Sequence, residues 1–283
     1  KFSKLNNYRH QILSKFKKNI YQMPINLETI NTVYKKCFTP SDAEKFIKSE
    51  IKKENIKNPK NFEEKAISMV GSKIYRYLLK GYTEKQWGKN PKDLPSSIIN
   101  RIPVRYNYNE DYFKNSQWQG IPIEGYSQLF DNILSNKKIT VELNKNYLLT
   151  DFNQDIPTLY TGPLDTLFNN KYGKLEWRSV KFKKKYVNTY DFQGNSVINY
   201  SDKKINFTRI HEPRHLHPER SYGQNNLVIY EFPTIDHKEP YYPINDDRNR
   251  QIYKKYKKEC ETIKNLFIGG RLADYAYYDM DMT

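Results

Sequence analysis

The stretch Arg248-Asn249-Arg250-Gln251-Ile252-Tyr253-Lys254-Lys255-Tyr256-Lys257-Lys258-Glu259-Cys260-Glu261-Thr262-Ile263-Lys264-Asn265-Leu266-Phe267-Ile268-Gly269-Gly270-Arg271 changes its hydrophobic period partway along, and that change decides the fold class. Ile252, Tyr253, Tyr256 and Ile263 stand among Lys and Glu at the spacing of an amphipathic helix. Leu266-Phe267-Ile268 then reads as a short buried strand running into paired glycines. A helix feeding a strand at the end of a chain forms part of a second sheet. Working backwards, strand-like runs at 227–232, 205–210, 196–200 and 175–182 predict an antiparallel sheet, preceded by a further strand at 139–143 and a helix at 126–134. The first third reads as helical. Asn26, Thr39 (followed by Pro40 and Asp42) and Asn61 are candidate N-caps, each ahead of an apolar stripe, and Gly81 marks a helix end. The chain is α+β.

The composition supports a folded protein. Aromatic residues make up 15% of 283 positions, far more than a disordered chain carries. No run of about 18 apolar residues exists, so no membrane-spanning helix is expected. Lys and Arg number 48 against 32 Asp and Glu, and the excess of 16 favours an anionic partner without choosing between nucleic acid, membrane surface and phosphorylated small molecule. Cys37 and Cys260 lack CxxC spacing, which makes a reducing cytoplasm the default, and residues 1–7 have no signal-peptide character. The absence of an initiator Met points to a start inside a longer protein.

Catalytic motifs are missing. HExxH, GxSxG and the GxxxxGK[ST] phosphate loop do not occur, and His211, His215 and His217 have no acid or cysteine at zinc spacing, so no metal site is expected. What remains is an aromatic and arginine-rich set. Residues 81–88, GYTEKQWG, place Tyr82 and Trp87 in a polar segment after a helix end, suited to stacking a nucleobase or to packing in the core. Residues 100–105 carry Arg101 and Arg105, followed by Tyr106, Tyr108 and Tyr112, and Arg209 ends a predicted strand. Guanidinium forks match phosphate oxygens, and tyrosines add neutral donors, which together describe a cleft for an aromatic base joined to phosphates.

These motifs fall in one order: GYTEKQWG at 81–88, NRIPVRYNYNEDYF at 100–113, Gln119 to Tyr126 as QGxPxxGY, YTGPLD at 160–165, NYSD at 199–202, TRI at 208–210, PYYPI at 240–244 and GGRLADYAYYDMD at 269–281. In that order the chain resembles the bacterial UDP-galactopyranose mutases. The resemblance implies a multi-domain α/β flavoprotein that interconverts UDP-galactopyranose and UDP-galactofuranose for surface polysaccharide, with N5 of reduced FAD as nucleophile. The absence of a side-chain nucleophile motif agrees with a cofactor that carries the bond chemistry.

By the same resemblance, Arg101 and Arg209 grip the diphosphate, Arg101 on a mobile loop. Tyr82, Thr83 and Trp87 hold uridine, while Tyr112, Asn199, Tyr242 and Tyr277 contact the nucleotide or its phosphates. His10 takes a sugar-side position, and Gly270, Arg271, Tyr278, Asp279 and Met280 touch FAD. The implied division is a remnant of the FAD-binding domain at 1–25, a helical substrate domain at 26–112, a mainly antiparallel sheet at 113–245 and a return to an incomplete FAD-binding domain at 246–283. No GxGxxG follows an early strand, so most of the FAD site is expected outside the chain, and the alternative is an inactive UDP-binding remnant. A cytoplasmic homodimer, without nucleic acid or membrane insertion, completes the expectation.

Overall fold

The computed structural model describes residues 3–99, 102–113, 117–235, 239–280 and 282–283. Strands β1 (Ile12–Phe16) and β2 (Asn19–Met23) precede helices α1 (Leu27–Tyr34), α2 (Pro40–Lys53) and α3 (Phe62–Ile74), a π-helical stretch at Tyr75–Lys80, and α4 (Gly81–Trp87). Next come α5 (Gly125–Leu134), β3 (Thr158–Tyr160), α6 (Leu164–Leu167), β4 (Trp177–Asn188), β5 (Val197–Tyr200), β6 (Arg209–His211) and β7 (Asn225–Thr234). The chain ends with β8 (Tyr242–Pro243), α7 (Asp247–Cys260), β9 (Leu266–Ile268) and α8 (Gly270–Ala273). The expected mixture of helices and strands is present, with α7 feeding β9. Two units divide the chain: Lys1–Thr140 with Lys181–Pro233, and Val141–Val180 with Thr234–Thr283.

In the first unit the helices begin where the caps predict. The Asn26 side chain accepts from the Thr29 backbone and Thr29 returns the bond, Thr39 caps α2 with Pro40 at its first position, and Asn61 accepts from the Glu64 amide. Their apolar faces, including Leu27, Ile30, Ile47, Ala66 and Val70, form one buried cluster with Ile12 and Tyr21 of the hairpin. Each large aliphatic side chain buried there contributes about 1.5–3 kcal/mol.

Two glycines shape the path of these helices, and Gly81 does so differently from the sequence reading. Gly71, at φ +76°, kinks α3 without ending it. Gly81 ends nothing: the chain stays helical through the π-helical stretch into α4, so the GYTEKQW segment is a helix, not a polar loop. A Cβ on Gly81 would overlap the Ser201 carbonyl oxygen, which makes glycine a requirement of close approach rather than of a turn. One turn later, Lys85 Nζ donates to the carbonyls of Tyr200 (2.5 Å), Asp202 (3.1 Å) and Phe207 (2.7 Å), fastening α4 to the β5–β6 connection. Burial pushes this ammonium down to about 8.

Within the first unit the strand order is β2-β1-β5-β6-β7-β4. β1 pairs antiparallel with β2 and parallel with β5, and β5, β6 and β7 alternate antiparallel. The β1–β2 hairpin was not foreseen, because two five-residue strands, ILSKF and NIYQM, joined at Lys17-Lys18, carry little periodicity. The strand expected at 139–143 does not form: Ile139, Val141 and Leu143 are exposed, and no strand among the described residues pairs with them. The run at 205–210 shrinks to Arg209–His211.

The second unit packs Tyr160, Leu164, Phe168, Trp177, Tyr256 and Tyr275 into its own core. The Tyr256 hydroxyl accepts from the Tyr172 amide (3.0 Å) and donates to the Gly173 carbonyl (2.8 Å), so its buried polar end is satisfied. β3 and β9 pair in parallel, Thr158 to Leu266 through Tyr160 to Ile268. β9 is less buried than its apolar sequence predicts: Phe267 is 57% exposed, as is Leu159 at 66% on the paired strand. Cys37 and Cys260 are free thiols, and no described helix is long and apolar enough to cross a membrane.

Gly81→Ala is expected to lower stability by about 1–3 kcal/mol through overpacking against Ser201, read as a lower urea midpoint. An unchanged midpoint would show that α4 can retreat from the sheet without cost.

Candidate functional site

Strand register assembles the first cluster. Arg209 of β6 stands opposite Asn199 of β5 and Glu231 of β7, so three polar side chains of adjacent strands fall in one row. Arg209 Nε donates to Asn199 Oδ1 at 3.1 Å, and its Nη1 lies 3.3 Å from both oxygens of Glu231. His211, two residues further along β6 and therefore on the same face, sets its Nε2 3.0 Å from Glu231 Oε2. Thr208 Oγ1 donates to Glu231 Oε1 at 3.0 Å.

Glu231 is 3% exposed. Burial alone would raise its carboxyl, but the His211 hydrogen bond and the Arg209 charge outweigh that and hold it below the usual carboxylate range. The buried carboxylate thus fixes the arginine fork by Coulomb attraction and geometry together. The Tyr82 ring, from α4, lies over this guanidinium with 5.6 Å from its centroid to Arg209 Cζ, within cation–π range.

His10 precedes β1. Its ring meets Tyr112 edge-on at 5.3 Å and lies 5.9 Å from Phe113. Burial, then the positive Arg209 and the neighbouring His211, lower its imidazolium to about 4, so the ring is neutral at pH 7. The structure therefore brings His10, Tyr82, Tyr112, Asn199 and Arg209 into one unit. Thr83 is buried in α4, and the half-buried Trp87 packs against the helical core. Arg105 spends Nη1 on the carbonyls of Asn109 and Asp111, bracing its own loop. Arg101 lies outside the described residues.

In the second unit, Tyr242 and Tyr277 stack with centroids 5.8 Å apart and planes 11° from parallel. Arg271 Cζ sits 4.5 Å from the Tyr277 centroid, and its guanidinium donates to the carbonyls of Tyr278 and Tyr241. Gly270 follows β9 at φ +85°, and a Cβ there would meet nothing closer than 3.9 Å. Asp279 accepts from the Thr283 amide through its carbonyl, and Met280 is 75% exposed.

The sequence reading missed the acidic partners of the histidines. Tertiary folding sets Asp191, Glu212 and His215 with ligand-type atoms within 4.8 Å of one another. Glu212 accepts the amides of Phe192 and Gln193, and His215 Nε2 faces Asp191 Oδ1 at 3.3 Å, so these groups clasp the loop before β5. Glu231 was missed too, although a single acid inside the apolar run 227–232 is itself a signal, since a buried carboxylate requires a cation.

Helices on a mixed sheet set an arginine–carboxylate row beside an aromatic face, an arrangement suited to a phosphate-bearing ligand. A family model described as UDP-galactopyranose mutase matches residues 77–277. The probable UDP-galactopyranose mutase of Klebsiella pneumoniae is 35% identical over 283 residues, covering 100% of this chain and 73% of its own. The dTDP-fucopyranose mutase of Escherichia coli is 34% identical over 290 residues, with 100% and 76% covered. The UDP-galactopyranose mutase of Mycoplasma genitalium is 32% identical over 305 residues, with 99% and 74% covered. A crystal structure of reduced UDP-galactopyranose mutase shares the fold at a TM-score of 0.69 and 13% identity, over 96% of this chain and 75% of that one. The chain belongs to the UDP-galactopyranose mutase family.

Both lowered groups give pH dependence of one sign. His10 binds its proton less readily when folded, so stability falls as pH drops from 6.5 towards about 4, and Glu231 adds a further loss below 4.5. Urea midpoints measured between pH 7 and 4 are expected to decline, with a shallower decline between 6.5 and 4.5 in His10→Gln. An equal slope in that variant would remove His10 from the balance.

Proposed function

We propose that this chain binds a nucleoside-diphosphate hexose and interconverts its pyranose and furanose forms, UDP-galactopyranose and UDP-galactofuranose, with FAD as cofactor. The observation that supports this reading is the Arg209 fork, held by Asn199 and a buried Glu231 beneath the Tyr82 face. A planar fork fixed before the ligand arrives meets a diphosphate at lower ordering cost than a free side chain. Arg209 and Arg101 take the diphosphate and stabilise the negative charge of UDP as it departs. Tyr82, Thr83 and Trp87 hold the uridine segment, Tyr112, Asn199, Tyr242 and Tyr277 border the nucleotide, and His10 lies on the sugar side.

The residues present fit one wall of a flavin site. β3 and β9 are parallel strands, and dinucleotides bind outside the carboxyl ends of such strands. Gly270, at that end, leaves open the space a side chain would fill. Gly270, Arg271, Tyr278, Asp279 and Met280 would hold that edge of the cofactor, with Arg271 acting through the carbonyls it fixes. Reduced FAD, when bound, supplies the nucleophile for exchange at the anomeric carbon. The protein's own groups orient the sugar nucleotide, exclude water and stabilise the leaving diphosphate. A cytoplasmic homodimer is the setting that the family resemblance implies.

The near-equal likeness to the relative named dTDP-fucopyranose mutase supports dTDP-fucopyranose as a second candidate substrate. Incubating the chain with FAD, dithionite and each nucleotide sugar, and separating the products by anion-exchange chromatography, tests both. Calorimetry with UDP and dTDP gives an independent reading. Arg209→Ala is expected to weaken nucleotide binding by about tenfold to a hundredfold, the loss of a charge-assisted hydrogen bond. Wild-type protein that binds neither nucleotide would overturn the proposal.

A further inference from the structure

Beneath His10 lies a short hydrogen-bonded chain that neither the motifs nor the family likeness assigns. Tyr8 Oη is 2.9 Å from His10 Nδ1 and 2.5 Å from Ser196 Oγ. Ser196 is 2% exposed, and Tyr8 Oη is the partner its hydroxyl finds among the described residues. Gln119 Oε1 accepts from the His10 backbone N–H at 3.0 Å, which fixes the main chain that carries the ring.

Counting protons decides the direction of this chain. The Ser196 hydroxyl, if it did not donate to Tyr8, would bury an unpaired donor, a cost of about 1–3 kcal/mol. With Ser196 donating to the Tyr8 oxygen, the Tyr8 hydrogen has His10 Nδ1 as its acceptor among the described residues. A neutral imidazole with Nδ1 accepting carries its proton on Nε2. Burial and the Arg209 and His211 charges keep the ring neutral, so Nε2–H is an uncharged donor. Nε2 itself is bonded to no described residue.

We propose that Tyr8 and Ser196 are positioning residues that lock His10 in the Nε2–H tautomer, so that it donates one hydrogen bond to an oxygen of the hexose in a bound nucleotide sugar. The hexose rests on the functional reading above; the locked tautomer does not. An uncharged donor suits a sugar oxygen, since a phosphate would draw a second proton onto the ring, whereas the neighbouring Arg209 already offers charge.

The test uses nitrogen NMR of imidazole-labelled full chain, with His10→Gln to assign the signal. Wild type is expected to show Nε2 protonated and Nδ1 as acceptor. Tyr8→Phe should release the lock, giving a mixture of tautomers, and should weaken UDP-galactose by about three- to tenfold, the worth of one neutral hydrogen bond, while leaving UDP unchanged. Ser196→Ala, which keeps the Tyr8 ring, provides the second variant and should loosen the tautomer in the same direction. A wild-type ring protonated on Nδ1, or a Tyr8→Phe ring that keeps its tautomer, would overturn the lock. An equal loss for UDP and UDP-galactose, or a His10 ring that becomes an imidazolium when UDP binds, would overturn the sugar contact in favour of phosphate. If wild type binds neither ligand while the tautomer stands as expected, the functional reading fails, and the sugar contact with it, but the lock survives.

Discussion

Glu231 is the charge around which the first unit is arranged. A carboxylate 3% exposed in the interior of a sheet survives only if cations and donors reach it, and here three do so from one short segment: Thr208, Arg209 and His211. That supply depends on register. Asn199, Arg209 and Glu231 occupy one row across β5, β6 and β7, and a slip of one residue would send Arg209 to the opposite face and leave the carboxylate unpaired. The pair constrains the sheet as strongly as the sheet constrains the pair.

Other elements hold this row in place. Lys85 binds three carbonyls around the β5–β6 connection, and Gly81 lets α4 approach closely enough for it to do so. The same helix carries Tyr82 over the Arg209 guanidinium. Glu212 repeats the logic of Glu231 with backbone amides in place of cations, fastening the loop ahead of β5. Lys85, Glu212 and Glu231 each gather several partners, since a half-satisfied buried charge would be costly. The second unit relies on aromatic packing, with the hydroxyls of Tyr256 and Tyr275 placed on backbone carbonyls.

Much of this was readable in the chain. The caps at Asn26, Thr39 and Asn61, the amphipathic α7 and the apolar run of β9 follow from local chemistry, which is the same in a peptide and in a protein. The errors have a common cause. The 139–143 run alternates like a strand but has no ladder partner, Gly81 looks like a helix stop but is a contact residue, and the β1–β2 hairpin is too short to announce itself. Each depends on what lies across from it, and no sequence window contains that information.

The site divides along the same line. The residue types and their order, arginines and tyrosines between prolines without a nucleophile motif, pointed in the sequence to a phosphate-bearing aromatic ligand and to the family, because side-chain chemistry is fixed by identity. The opposition of Glu231 to Arg209, separated by 22 positions, and the Tyr8–Ser196 contact beneath His10, separated by 188, were decided by tertiary structure alone. Strand pairing and register set those distances, and they arise only when the whole sheet closes over its buried charges.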